Sequence, residues 1–341
     1  MSLRGCGSAD AMRQKPASPQ HIQMGWVMPE RILVTGGAGF IGSNIVQRLL
    51  SRGSAVVILD DLSSGCAQNI DKDAEFILGD VRDAETVSKA AENCSVILHL
   101  AASVGNKRSI DNPASDAASN LIGTINVLEA ARKEQIHRVV LSSSAGIFGE
   151  LKTLPISEDH PQDPDSPYGV SKLAAEKMCL AYNKLYDMRN VCLRYFNVYG
   201  PHQRYDAYGN VIPIFATRIF QRDPITIYGD GEQTRDFVNV RDVAAANLSA
   251  AFTQGAQGVF NLGSGTRVTI NDLARLMTGV SGRDVPIEYS APRKGDVRDS
   301  LADISKAGRI LDFVPRTGLE EGLAEYWGWF VHDRTNPPCR I

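Results

Sequence analysis

Tyr168 and Lys172 stand four residues apart in Tyr168-Gly-Val-Ser-Lys172, and on a helix that spacing puts both side chains on one face. An ammonium beside a phenol stabilises the phenolate and draws a pKa of about 10 toward neutrality, which makes Tyr168 a general base for a hydroxyl proton. Ser142-Ser-Ser144 ends a strand-like run, so Ser144 is placed to hold the same substrate oxygen. Alone, a Tyr and a Lys at this spacing are more often a solvated helix face. The pair acquires meaning from the motif that precedes it in the chain.

That motif is Gly36-Gly37-Ala38-Gly39-Phe40-Ile41-Gly42, between the β-branched run Arg31–Thr35 and a segment of helical spacing over residues 43–50. Glycine suits a tight strand-to-helix turn whose backbone approaches a pyrophosphate closely, with the anion at the helix N-terminus. The reading assigns Gly36, Gly39, Phe40, Ile41 and Gly42 to a dinucleotide. Asp60 ends the next strand, eighteen residues after Gly42, where a carboxylate accepts hydrogen bonds from the adenosine ribose and repels a 2′-phosphate. The expected cofactor is therefore NAD rather than NADP.

Positioning these groups requires a scaffold of alternating strands and helices. Buried-strand candidates recur at residues 75–78, 95–100, 138–142 and 190–195, with helical stretches at 114–133 and 168–186 between them. Continuous apolar strands alternating with helices predict an α/β fold with a Rossmann-type doubly wound parallel sheet. After Gly200 the spacing loosens around Pro201, Pro213 and Pro224, as expected of a smaller C-terminal α/β substrate domain. The expected division is a loosely attached extension over 1–28, a cofactor domain over 29–196 to which 238–262 return, and a substrate domain over 197–237 and 263–335.

The chain has 341 residues, with 36 Lys+Arg against 39 Asp+Glu and a formal net charge of −3. With no basic run, this composition excludes a nucleic-acid surface or a polybasic membrane patch. No apolar stretch approaches the roughly 18 residues that span a bilayer. The six cysteines contain no CxxC pair and the six histidines no HExxH spacing, so no metal and no disulfide framework is expected. His99, inside an apolar strand, reads as a satisfied core residue. Glu158, Asp159, Asp163 and Asp165 read as solvated turn residues in a Pro-rich loop. Residues 1–28 lack an apolar h-region, and the expected location is the cytoplasm.

Taken together, TGGAGFIG (35–42), Asp60, Asp80-Val81, Leu100-Ala101-Ala102, Asn120, SSSAGIFG (142–149), YGVSK (168–172), LRYFNVYG (193–200), Arg235-Asp236-Phe237 and GDVRDSLADISKA (295–307) resemble the extended short-chain dehydrogenase/reductases. Within that family the likeness is to nucleotide-sugar 4-epimerases of the UDP-galactose epimerase type, over residues 31 to 330. The resemblance implies an NAD-dependent epimerase acting at C4 of a UDP-hexose, with Ser144, Tyr168 and Lys172 catalytic. It implies that Asp80, Val81, Leu100, Ala101, Ala102, Asn120 and Tyr195 join the glycine turn and Asp60 around NAD. On the sugar-nucleotide side it implies Asn197, Asn210, Val211, Tyr228, Arg235 and Arg293, the arginines offering charge-assisted bonds to the diphosphate and Tyr228 a packing surface.

Departures narrow the chemistry. Gly146 and Phe148 stand where many 4-epimerases carry Thr and Tyr, which keeps Ser144 as the catalytic hydroxyl. The related decarboxylases and 4,6-dehydratases carry an acid near Ala145 and Gly146, absent here. Arg204 stands where relatives acting on uronic acids have a carboxylate-binding arginine, so UDP-glucuronate 4-epimerization is the rival reaction. A non-catalytic NAD-binding protein is the rival of another class, and such proteins typically lose the Tyr/Lys pair. Ser300 aligns with a position where a bulky tyrosine closes the sugar pocket of narrower enzymes, so UDP-N-acetylglucosamine is expected to enter. The resemblance further implies a homodimer pairing helices near 114–133 and 168–186, with Leu121, Ile125, Leu128, Met178 and Leu180 as contact candidates.

Overall fold

A computed structural model describes residues 31–205, 210–292 and 297–335. Arg31–Thr35 (β1), Ala55–Asp60 (β2), Glu75–Leu78 (β3), Val96–His99 (β4), Val139–Ser144 (β5), Val191–Tyr195 (β6) and Gly258–Leu262 (β7) form one sheet. Its order is β7-β6-β5-β4-β1-β2-β3, and all pairings are parallel. The strands read as unbroken apolar runs because successive side chains enter opposite cores. In β1, Ile32 and Val34 join Ile45, Val46 and Leu49 on one face. Leu33, between them, joins Val87, Val127 and Ala175 on the other.

Phe40–Leu50 (α1) and Val240–Phe252 (α5) cover the first face, while Ala84–Ala91 (α2), Gly123–Lys133 (α3) and Pro167–Leu185 (α4) cover the second. After residue 237 the chain adds β7 to the edge of the main sheet beside β6, Gly258 opposite Val191. Residues 238 and 239 differ from expectation, since Phe237–Asn239 is a short strand beside Asn197–Tyr199. Asn239 then caps α5 by accepting from the Arg241 N–H at 2.8 Å.

The single helix expected over 114–133 is three segments. Pro113–Ala117 opens under an Asn112 cap, a π-helical turn spans Ala118–Ile122, and α3 follows. Pro at the first helical position and Asn at the cap explain the start. The π turn carries Asn120, and such turns are common at functional sites because the extra residue re-aims a side chain. A separate core gathers Phe215, Ile219, Ile227, Leu273, Met277, Tyr326 and Phe330 from the helices Val211–Gln221, Ile270–Ser281 and Leu319–Thr335 and the short strand Ile225–Tyr228. Among the described residues no helix is long and apolar enough to cross a membrane.

Candidate active site

β1 lies between β2 and β4, so successive strands are added on opposite sides of it and a crevice opens at the carboxyl ends of β1 and β4. Two glycines define that crevice. Gly36 has φ +70°, and a Cβ on it would sit 2.6 Å from the Ala101 N. A Cβ on Gly42 would sit 2.1 Å from the Gly36 carbonyl oxygen, so any side chain there forces α1 off the turn. No side chain caps α1 at Gly39, and the first N–H groups of a helix lack intrahelical partners, which suits a pyrophosphate. Phe40 and Ile41 are partly buried, their side chains packed against the core. Leu100 packs into the same core and Ala101 into the opposite one.

Asp60 is buried at the end of β2 and accepts from the Ala38 N–H at 3.0 Å and the Leu62 N–H at 2.9 Å. Burial pushes its carboxyl up, and these two bonds pull it back. It therefore braces the glycine turn. This turn, the helix terminus and Asp60 fit the adenosine diphosphate of NAD.

Other residues assigned to the cofactor are engaged inside the protein. Asp80 accepts from Arg82 Nε at 2.7 Å and from its backbone N–H at 2.8 Å, and Arg82 holds the carboxyl below its ordinary range. Val81 is buried against Gly123, whose Cβ would sit 2.8 Å from Val81 Cγ2. Asn120 accepts from the Ser103 N–H at 2.8 Å and donates to the Ser103 carbonyl at 3.0 Å. That side chain holds the loop that carries Ala102. The Tyr195 hydroxyl donates to Asn247 Oδ1 at 3.0 Å, beneath α5.

Ser144, Tyr168 and Lys172 come together at the carboxyl end of β5. Ser166 caps α4 by accepting from the Gly169 N–H at 3.2 Å, and Ser109 Oγ accepts from the Tyr168 N–H at 3.0 Å. A Cβ on Gly169 would sit 2.4 Å from the Gly146 carbonyl oxygen, and one on Gly146 3.5 Å from Tyr168 Cε1. These glycines let α4 close on the turn that carries Ser144. Ser144 Oγ accepts from the Gly146 N–H at 3.1 Å, and its hydroxyl opposes the rise of the Tyr168 phenol pKa. Lys172 is buried on the same helix and donates through Nζ to the Ser142 carbonyl at 2.7 Å.

The electrostatics correct one expectation. Burial pushes the Tyr168 phenol up, the Ser144 hydrogen bond opposes that shift, and the Asp116 charge reinforces it. Lys172 itself is drawn down to about 8 by burial. Desolvation outweighs the helix-face pairing, so these protein groups do not by themselves bring the phenol toward neutrality.

On the expected sugar-nucleotide side, Asn197 Nδ2 donates to the Asp236 carbonyl at 3.3 Å. Arg235 Nη1 donates to the Val297 carbonyl at 2.6 Å. Ser300 is buried, its N–H donating to Thr234 Oγ1 at 3.4 Å. Tyr228 is half-buried at the end of a short strand, Asn210 and Val211 open the helix Val211–Gln221, and Arg293 lies outside the described residues. Arg204 does not present a free guanidinium: Nη2 donates to Asp333 Oδ1 at 2.6 Å and Nη1 to Cys66 Sγ at 2.8 Å.

Several residues escaped the sequence reading. Asp116 is buried and accepts from Ser171 Oγ at 2.5 Å and Asn120 Nδ2 at 3.2 Å, bracing the helix between Tyr168 and Lys172. Glu176 pairs with Arg194 Nη2 at 2.6 Å and accepts from Ser143 Oγ at 2.9 Å, directly beside the Ser144 strand end. Glu176 is four residues beyond Lys172, a spacing that offered the signal. Glu158 is a correction: it is buried rather than solvated, accepting from the Asn261 N–H at 2.9 Å, because the loop folds back over β6 and β7. Asp236 is fully buried and accepts from the Ser264 N–H at 2.5 Å and the Ala302 N–H at 3.0 Å. Among the described residues no group of three or more His, Cys, Asp or Glu could hold a metal ion.

Residues 32–263 match the NAD dependent epimerase/dehydratase family. A UDP-glucose 4-epimerase of Mycolicibacterium smegmatis is 41% identical over 303 residues, covering 86% of this chain and 96% of the relative. The crystal structure of UDP-glucose 4-epimerase with UDP-glucose from Thermotoga maritima superposes with a TM-score of 0.86 at 37% identity, covering 89% of this chain and 99% of that one. A UDP-N-acetylglucosamine 4-epimerase from Methanobrevibacter ruminantium, in complex with UDP-N-acetylmuramic acid, gives a TM-score of 0.86 at 34% identity and covers 89% and 99%. By its glycine turn, its sheet order and this match over most of its length, the chain belongs to the NAD dependent epimerase/dehydratase family.

Proposed function

We propose that this chain is an NAD-dependent isomerase that interconverts the C4 epimers of UDP-hexoses, both UDP-glucose with UDP-galactose and UDP-N-acetylglucosamine with UDP-N-acetylgalactosamine. The observation that carries this reading is the meeting of Ser144, Tyr168 and Lys172 at the end of β5, beside the crevice that fits NAD. NAD, when bound, would supply a hydride acceptor and a positive charge that favours the phenolate.

Tyr168 Oη takes the proton of the 4-hydroxyl as C4 loses hydride, leaving a 4-keto sugar. Ser144 Oγ holds the same oxygen through both directions. Lys172, with a pKa of about 8, is mostly protonated at neutral pH, and its positive charge favours the phenolate. The keto sugar turns over, regains hydride on its other face, and recovers the proton from Tyr168. No net oxidation results.

The engagement of Arg204 with Asp333 and Cys66 favours a neutral hexose over a uronic acid. The named activities of the Mycolicibacterium and Thermotoga relatives support the UDP-glucose reaction, and that of the Methanobrevibacter relative supports the acetamido sugar. Purified protein offered UDP-glucose, UDP-N-acetylglucosamine and UDP-glucuronate should invert C4 of the first two. Turnover of UDP-glucuronate alone would overturn the assignment.

A homodimer built on the helices from residue 113 to 133 and on α4 accompanies this reading. Ile122, Val170, Leu185 and Tyr186 are exposed there. Leu128, one of the expected contact residues, is buried in the subunit's own core. Light scattering should give about twice 37.0 kDa.

A further inference from the structure

A cavity of about 320 Å³ opens between α1, α5 and the helix Leu319–Thr335, with Pro201 and His202 at its floor. None of the residues assigned to catalysis or to the cofactor lines it. Its walls carry Asn44, Arg48, Arg241 and Glu325, an unusually polar lining for a gap between packed helices.

Arg48 has a buried Nε with no hydrogen-bond partner among the described residues. Arg52 and Arg316 add positive charge around Arg48 and Asp242 offsets it, while Glu325 adds a carboxylate to the cavity wall. A buried guanidinium N–H without a partner is costly and calls for an acceptor. Arg241 enters from the α5 side, ion-paired to Glu325. His202 is fixed at the floor by Ser43 Oγ at 2.7 Å and by Trp329, with ring centroids 5.8 Å apart. The cavity wall is also bolted to the start of α1: Asn44 Nδ2 donates to the Phe40 carbonyl at 2.9 Å and to the Pro201 carbonyl at 3.1 Å.

We propose that this cavity is a second ligand site, separate from the epimerization centre, which binds a small phosphorylated molecule with its phosphate held between Arg48 and Arg241. On Arg241 the phosphate takes the place of the Glu325 carboxylate, and on Arg48 it adds an acceptor. The space is of the size that accommodates a sugar monophosphate. Free phosphate and a phosphate ester share this chemistry, and the uncharged part of the ligand separates them.

The test is calorimetric titration of the NAD-loaded protein with inorganic phosphate and with glucose 6-phosphate, followed in parallel by tryptophan fluorescence because Trp329 lies against His202. Saturable one-to-one binding is expected, weakened about tenfold or more in both Arg48→Met and Arg241→Met, a factor of ten being about 1.4 kcal/mol. Epimerase kcat should be unchanged and unfolding cooperative in both variants, which excludes loss of folding as the cause. Tighter binding of glucose 6-phosphate supports a site for a phosphate ester, and equal affinity supports a site for the phosphate group alone. Absence of saturation by about 10 mM of either probe, or isotherms identical in wild type and Arg48→Met, overturns the proposal.

Discussion

Lys172 Nζ donates to the Ser142 carbonyl at 2.7 Å, which ties α4 to β5 two residues before Ser144. One hydrogen bond thereby sets the distance between the helix that carries Tyr168 and the strand end that carries Ser144. Asp116, through Ser171, braces the same helix turn from its other side. The trio is held by backbone and buried polar groups, so its members can be altered singly.

Tyr168→Phe should lower kcat by at least about 100-fold, the usual worth of a general base. The ring remains against Gly146, so bound NAD per subunit and melting temperature should match wild type. Activity within a few-fold of wild type would remove Tyr168 from the role of base.

His99 gives a pH dependence. It is buried between Thr35 Oγ1 at 2.7 Å and Thr124 Oγ1 at 3.1 Å, and burial lowers its pKa from 6.5 to about 3. The folded value is the lower one, so below about pH 6.5 the unfolded chain binds a proton that the folded chain refuses. Stability should therefore fall as pH drops from 6.5 toward 3, by about 2 kcal/mol from this residue at pH 5. Urea unfolding at pH 7 and pH 5 should show that much less pH sensitivity in His99→Gln. Equal sensitivity would contradict the buried neutral imidazole.

Glu176→Ala should destabilise the fold by about 3–5 kcal/mol, because it leaves the buried Arg194 guanidinium without its carboxylate. Both side chains are almost fully excluded from solvent. Replacing the pair together, Glu176→Met with Arg194→Met, should recover much of the loss. Denaturant midpoints for the two variants measure this, and a single variant as stable as wild type would sink it.

Ser300→Tyr tests substrate width. Ser300 is buried beside Thr234, next in sequence to Arg235, and a tyrosine there adds roughly an aromatic ring's volume. The variant should suppress kcat/KM for UDP-N-acetylglucosamine by about tenfold or more while sparing UDP-glucose, since exclusion by bulk discriminates a missing from an added group. An unchanged ratio of the two values would show that Ser300 does not border the acetamido position.

The sequence by itself determined the sheet and the cofactor turn, and it singled out Ser144, Tyr168 and Lys172 as candidates for the chemistry. These are local signals: a strand's apolar run, a glycine where a Cβ would meet a carbonyl at 2.1 Å, and a Tyr and Lys one helical turn apart. The core placement of His99 was also legible from the apolar strand around it, and the structure gives it Thr35 and Thr124 as partners.

What only the tertiary structure decided depends on groups far apart in the chain. Arg204 reads as a carboxylate ligand until Asp333, 129 residues away, is seen to hold it. Glu158 reads as a solvated turn residue until Asn261 is found donating to it across 103 residues. The direction of the Tyr168 shift is likewise set by burial and by Asp116, neither of which its own helix encodes. Residue spacing along one helix or strand fixes which side chains share a face, whereas desolvation and ion pairing depend on which distant segment packs over that face.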